Sequence, residues 1–599
     1  MQTLADQLLQ PGQAYNSELR SRHEVFTKDY FESLIAESKI DVDDNRKTVK
    51  EYKDELAKID NISRHLSKLR LGRAMIIILV VAGLIATAIG VFEKKFILIP
   101  IGIVAAVGFF IIWLKVFNPR IKSADQLKLD YEQRAKELLN LAWEQMAPLN
   151  ALFDSDMTRQ LILKTVPLLE VDKNFSIKRF EYLNERFGYA GQDAYPNMST
   201  VKVVSGELRG NPFVVERYIE CTMGTATYEG ELYIEWEEYY YDDDGNCCTV
   251  SRSETLYAKV TKPKPYYEYH TVLVYGNEAA PDLSFTHDPT HAERMSAKQL
   301  AHAVKSGGKK LARAARKSFA SGEGSFREMT NTEFDVLFNG TDRDNEVQFR
   351  LLFTPLAQQN MLELMRNPEP YGDNFSIHKN RMLNYVQAEH MDSWDMNTSG
   401  SRYKSYDIDS SFAEFVSFNT EYFKRFFFAF APLLAIPLYQ QHKPREYIYR
   451  HDYDAARNYT AHEAEVLANC IGWDAFCHSN TATDVIIKAN VARKEGKSDI
   501  VEIKAYSYKA VPRTDYVSVY GGDGYYHDVP VHWDEYIPIE RTSHMEMKEY
   551  DLSDREYFVK LNENSMRAYT SDNGGNYAYT DGIFACALGG NSRLSKIDN

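Results

Sequence analysis

The stretch HEAEVLANCIGWDAFCHSNTATDVIIKANVARKEGKSDIVEIKAYSY (462–508) holds the most enzyme-like arrangement in this 599-residue sequence. Asp484 opens one apolar run, and Glu502 and Lys504 flank Ile503 in the next. Strand alternation puts Glu502 and Lys504 on one face. Two carboxylates sharing a Mg²⁺ ion, with a lysine alongside, can activate water for hydrolysis. His462, Cys470, Cys477 and His478 make a thinner metal set. The Cys–Cys gap matches no frequent zinc spacing, and HEAEV lacks the second histidine of a zinc-protease helix. His527 and His532 fall on opposite faces of a strand and share no metal. No GxGxxG, P-loop or GxSxG occurs, so the sequence names no metal and no cofactor.

The order Asp484…Glu502-Ile503-Lys504 resembles the restriction-endonuclease-like core. That resemblance implies Asp484 and Glu502 as metal ligands and Lys504 as the residue assisting the attacking water. The proline usual before the first acid is absent here. A net charge of −15 also opposes general nucleic-acid binding. A metal-dependent hydrolase, most concretely a nuclease, is therefore the alternative reading, behind binding or scaffolding.

Far upstream stand two uncharged runs, Ala74 to Phe92 and Phe96 to Leu114. Each has nineteen residues, and a helix of that length covers roughly 30 Å, the thickness of a bilayer's hydrocarbon. The sequence predicts a transmembrane hairpin that turns at Glu93, Lys94 and Lys95. Arg64, Lys68, Arg70 and Arg73 precede it, and Lys115, Arg120 and Lys122 follow. Positive residues stay inside, which places both termini in the cytoplasm of a cell-membrane protein. Thr87 is the one hydroxyl in the runs and nothing in them ionises, which disfavours a transporter. Six cysteines without a CxxC pair suit a reducing compartment.

The flanks read as paired helices. Val49, Tyr52, Leu56, Ile59, Ile62, Leu66 and Leu69 recur at three- and four-residue steps before the runs. Leu127, Tyr131, Ala135, Leu138 and Ala142 do so after them. Such seams predict an antiparallel coiled-coil stalk. Beyond residue 150 the chain becomes rich in tyrosine and alternates. Residues 231–260 read as a β-hairpin turning at Asp244-Gly245-Asn246. FFFAFAPLLAIPLY (426–439) is too short to cross a membrane and reads as buried core. Between them, 291–325 is basic, with Gly307-Gly308 and a SGEGS tail bracketing a short helix. Its Lys305, Lys309, Lys310, Arg313, Arg316 and Lys317 are candidates for anionic lipid, against the plainer reading of a solvated connector.

FDVLFNGTDRDNEVQFRLLFTPLAQQNMLELM (334–365) has an aromatic-acid start, an apolar strand, then Thr354-Pro355 opening a helix. It resembles the signature of a bacterial family of two-span membrane proteins of unknown function, mycoplasmal members among them. The motif covers about thirty residues, and the plan (helical arm, two spans, cytoplasmic α+β region) covers 50–440. The resemblance implies a fold and brings no activity or site residues. NFSI recurs at 174–177 and 374–377, which admits two diverged lobes of one module.

The expectation is thus an α+β protein with a two-helix transmembrane hairpin, a stalk and a large cytoplasmic body. Its segments are a helical arm (1–72), the hairpin (73–115), a second stalk helix (116–150) and a first α+β domain (151–290). A basic linker (291–330), a second α+β domain (331–440) and a β-rich domain (441–599) follow. The expected partners are the membrane and a protein not identified from sequence, with a homo-oligomer possible and nucleic acid disfavoured.

Overall fold

The computed structural model describes residues 8–92, 98–191, 196–241, 247–320, 326–443, 459–495, 498–549, 577–580 and 583–588. The predicted turns at 93–95 and 244–246 and the SGEGS tail lie outside them. The chain is mixed α+β and clusters into two compact units. One comprises residues 28–153 and 400–417, the other 1–27, 154–399 and 418–599.

The smaller unit is built on helices α1 (Val42–Phe92), α2 (Leu98–Ile112) and α3 (Asn118–Asn150). Helix α1 starts where Asp41 caps the Asp44 N–H at 3.0 Å, with Asp43 and Asp44 set against the positive helix end. Helices α1 and α3 pair antiparallel, as their seams predict. Gln145 reaches Asp44 at 2.8 Å, Arg134 faces Glu55 at 3.8 Å, and Arg70 meets Asp125 at 3.0 Å. Val49, Leu66, Ala135 and Ala142 are buried between them. Leu56 and Leu127 are not: they are 42% and 43% exposed, and Glu55 takes the inward position. Steps of three and four fit either residue, and Glu55 is tolerated because Lys58 lies 2.8 Å away, with Arg134 beyond.

Past Gly72 the pattern inverts. A Cβ there would meet the Phe117 ring at 2.7 Å. Beyond it Ile78, Leu84 and Ile85 of α1 and Ile101 and Val104 of α2 are exposed. Helices α1 and α2 pack on each other, yet only 6% of the apolar window of α1 is buried. Among the described residues, Val42–Ile89 is the one helix long and apolar enough to cross a membrane. Helix α2 is described over 15 residues, about 22 Å, before a π turn at Trp113–Phe117 leads into α3.

The larger unit holds two antiparallel sheets. The first orders its strands β1-β2-β3-β4-β7-β6-β5. These are β1 (Leu169–Val171), β2 (Met198–Leu208), β3 (Asn211–Tyr241), β4 (Cys247–Gly276), β5 (Ser284–His287), β6 (Phe375–Asn380) and β7 (Leu383–Ala388). The sheet takes strands from both 151–290 and 331–440, which the sequence reading divides. The second sheet, β11-β12-β10-β9-β8, comes from 441–599. Its strands are β8 (Ile486–Glu495), β9 (Ser498–Tyr520), β10 (Tyr526–Glu549), β11 (Tyr577–Thr580) and β12 (Ile583–Ala587).

The predicted hairpin at 231–260 is present and much longer: β3 and β4 pair without a break from Phe213↔Tyr275 to Tyr241↔Cys247. Strands β9 and β10 pair from Asp499↔Met547 to Tyr520↔Tyr526. Both hairpins outrun their sheets, and their inner faces pack together through Ile234, Leu256, Ala258, Val529 and Val531. Gly230 permits this approach, since a Cβ there would meet the Pro530 carbonyl at 2.1 Å. Lys262 ties the hairpins further, pairing with Asp515 and lying 4.4 Å from the Trp533 ring.

Three details correct the sequence reading. The segment 334–365 contains no strand. It holds three short helices that begin at side-chain caps from Asn331, Asn345 and Thr354, and Glu346–Leu352 replaces the expected strand. Its phenylalanines recur at helical spacing and pack as Phe334, Phe338, Phe349 and Phe353 around Phe285. The Thr354-Pro355 start itself is as predicted. Gly307-Gly308 does not bracket a helix, because α4 (Ala297–Ala320) runs straight through it. A Cβ at Gly307 would meet Val336 at 2.5 Å, so the glycines serve close packing on α5 (Thr332–Phe338). The two NFSI copies differ as well: Ile177 starts a helix, whereas 375–377 lie in β6. Residues 426–434 continue the helix Ile408–Leu434 and are buried with Ile436 and Tyr439, as expected of core.

Candidate functional site

The structure separates the three residues of the nuclease-like reading. Glu502 and Lys504 lie together on β9, with Nζ 3.6 Å from Oε1, both partly exposed. Asp484 is exposed in the loop before β8. Register sets the distance: Asn490 pairs with Glu502 and Ile486 with Tyr506, so Asp484 falls level with Tyr508. That is six residues from Glu502, roughly 20 Å at strand rise. Carboxylates so far apart share no ion, and the Asp484–Glu502–Lys504 triad is corrected to one ordinary ion pair plus a loop acid.

Helix α6 (Ala461–Ile471) carries the HEAE run, and the structure uses it as a fastening. His462 lies 3.2 Å from Glu216, which also accepts from the Tyr189 hydroxyl at 2.7 Å. Glu463 accepts the Phe175 N–H, and Glu465 accepts the Thr200 N–H, each at 2.8 Å. Lys488 of β8 pairs with Glu465 at 3.0 Å. Burial pushes the Glu465 carboxyl above its ordinary range, and Lys488 opposes that shift. Acids at a helix N-terminus complement its dipole, so these side chains anchor α6 to β2 and β8. Cys470 is exposed and Cys477 half-buried. Among the described residues no group of three His, Cys, Asp or Glu could hold a metal.

Nearby, a small polar cavity of about 70 Å³ is lined by Asp156, Arg159, Asp172 and Glu463, among others. Its charges answer one another: Arg159 pairs with Asp156, and buried Arg179 binds Asp172 at 2.9 Å and Glu207 at 3.1 Å.

The larger opening lies between the sheets, at the base of the two hairpins. It is a cleft of about 500 Å³, within the usual size of ligand sites. Cys221 and Tyr267, opposite each other on β3 and β4, form one wall. Tyr506 and Tyr508 of β9 and Glu540 of β10 form the other. Tyr506 and Tyr508 continue the even-numbered face that begins with Glu502 and Lys504, and Glu540 sits directly across from Tyr506. The Cys221 thiol hydrogen-bonds both Tyr267 and Tyr508. Tyr267 also meets the Thr483 hydroxyl at 3.0 Å, and Thr483 Oγ1 accepts the Tyr508 N–H at 3.1 Å.

The electrostatics favour binding over reaction. Burial pushes the Cys221 thiol up despite those hydrogen bonds, so it stays protonated and weakly nucleophilic at neutral pH. Burial likewise raises the Tyr267 and Tyr508 phenols, which remain neutral donors. Three ring faces and Ile486 offer apolar contact, and the hydroxyls offer orientation. The alternation of Glu502 and Lys504, followed two steps further, reaches Tyr506 and Tyr508. Cys221 and Tyr267 carry no such signal, since only the fold brings them to β9.

The six basic lipid candidates lie on the outer side of α4, while Leu311 is buried and Val304 half-buried on its inner side. No family model, curated protein or solved structure matches this chain.

Proposed function

We infer that this chain is a membrane-anchored binding or scaffold protein whose body works on the cytoplasmic side. The observation that carries this is the inversion along α1. Its first half buries Val49 and Leu66 against α3, while the second half leaves Met75, Ile78, Leu84 and Ile85 exposed. A patch of that size in water is an aggregation liability, and in a bilayer it is at rest. With the uncharged run to Leu114, it supports two spans turning near Lys94, and the basic flanks from Arg64 to Arg73 and from Lys115 to Lys122 favour both termini inside. The tyrosine-walled cleft, lined by one carboxylate, Glu540, and by no basic side chain that could make an acid–base pair with it, supports binding as the task of the body.

Topology is tested with Lys94→Cys in intact cells. An impermeant thiol reagent should label that variant and should leave native Cys247, which is exposed, untouched. Cys586 is buried and reports nothing either way. Labelling of Cys247 with no gain at position 94 would invert the orientation.

A further inference from the structure

The two hairpins form an arm whose charge is unlike the rest of the chain. Residues 224–262 hold nine acids against three Lys or Arg, and 511–535 hold five against one. Counted along the sequence, these two segments carry ten of the chain's fifteen net negative charges. Its four bases are all engaged. Arg252 meets Glu238 at 2.9 Å, Lys259 meets Glu229 at 2.6 Å, Lys262 meets Asp515, and Arg513 meets Glu535 at 2.8 Å. Among the described residues no cation pairs with Glu231, Glu235 or Glu237.

Alternation places those three acids on the outer face of β3, interleaved with Tyr233, Tyr239 and Tyr241. Register sets Tyr257, Thr255, Ser253, Ser251 and Thr249 directly opposite on β4. Tyr233 is 62% exposed and Tyr241 75%. Rigid tyrosines among serines and acids make a surface suited to protein contact, because each tyrosine brings much area at low entropic cost.

The same chain carries the complement. Helix α4 turns Lys298, Lys305, Lys309, Arg313 and Lys317 outward, at steps of seven and then four residues. Among the described residues none of them has a carboxylate partner. Phe319, 82% exposed, stands at the end of that face. The lengths agree: Lys298 to Lys317 spans about 28 Å of helix, and Glu229 to Glu237 about 27 Å of strand.

We propose that the outer face of this arm docks the basic face of helix α4 from a second copy of the chain. Charge selects and orients the contact, and the tyrosines with Phe319 supply its dry area. The proposal goes beyond membrane anchoring and does not depend on the cleft.

The test is sedimentation velocity of the full chain in a neutral detergent, where no anionic lipid can occupy α4. The wild type should self-associate, more weakly as salt is raised. Glu231→Lys with Glu235→Lys and Glu237→Lys should weaken association at least about tenfold, and so should Lys305→Glu with Lys309→Glu and Arg313→Glu. Mixing the two variants, or combining all six changes, should restore it to within about threefold, which also shows that both sets fold. A wild type that is monomeric at every concentration overturns the proposal. So does an assembly indifferent to both sets, or a loss that neither mixing nor combination restores. Loss of vesicle binding in the helix variant with no change in assembly would assign α4 to lipid and overturn it equally.

Discussion

The two faces of the hairpin arm come from the same strands, one residue out of phase, and differ in nearly everything. The inner face of β3 offers Leu232, Ile234 and Trp236 to the opposing hairpin, where Val529 and Val531 are fully buried. The outer face offers Glu231, Tyr233, Glu235 and Glu237, and all four are exposed among the described residues. Period-two alternation creates this asymmetry, and a one-residue slip would exchange the faces. An arm buried on one side and left acidic and aromatic on the other has its stability and its recognition on separate residues. Substitutions should divide accordingly.

The sharpest break is Val531→Asp. Its side chain shares a cluster with Ile234 and Leu256 and lies directly opposite Asp515, so a buried carboxylate there meets a like charge whose partner Lys262 is already engaged. The expected cost is about 3–5 kcal/mol. It should appear as separation of the hairpins, read by faster amide exchange at 228–241 and 511–531 while the β8–β10 base stays protected. Equal exchange along both hairpins and base would show that the inner face is not a distinct packing unit.

Gly230→Ala asks a narrower question. The added Cβ would lie 2.1 Å from the Pro530 carbonyl, which is backbone and cannot swing aside. Overpacking of this kind costs about 1–3 kcal/mol. Proteolysis of the arm should accelerate less than in Val531→Asp. A variant as resistant as wild type would mean that the hairpins do not approach so closely.

This contrast also sorts what the sequence disclosed. Alternation at 231–260 was readable, because exposed acids and buried apolar residues take turns there. The second hairpin was harder to see: in 511–535 valines, aspartates and tyrosines mix on a short period, and its partner face lies almost 300 residues upstream. Glycine misled for a related reason. Gly307-Gly308 looks like a helix boundary, and Gly230 passes as an ordinary strand residue, yet each marks a close approach that becomes visible only beside Val336 or Pro530. The Glu502–Lys504 face is legible as a strand face, while order in the chain does not reveal that Asp484 falls level with Tyr508. Cys221, Tyr267 and Tyr508 needed the crossing of two sheets to become neighbours at all.

The smallest effect concerns the outer face, and its sign is informative. Glu235 and Glu237 sit two residues apart on one face of β3, about 7 Å from each other. Two such charges in water repel by about 0.6 kcal/mol before screening, and by roughly half that at physiological salt. Among the described residues no cation offsets them, so Glu235→Gln with Glu237→Gln should leave the unfolding midpoint unchanged or raise it slightly. The gain should vanish at high salt, where the wild type is already relieved. A clear loss of stability in monomeric protein would mean that these acids hold the arm together, and the division between a packing face and a recognition face would fail. If the acids are instead kept for a basic partner, the same pair of substitutions should weaken self-association while the monomer gains, a trade that only a surface left uncovered for docking would show.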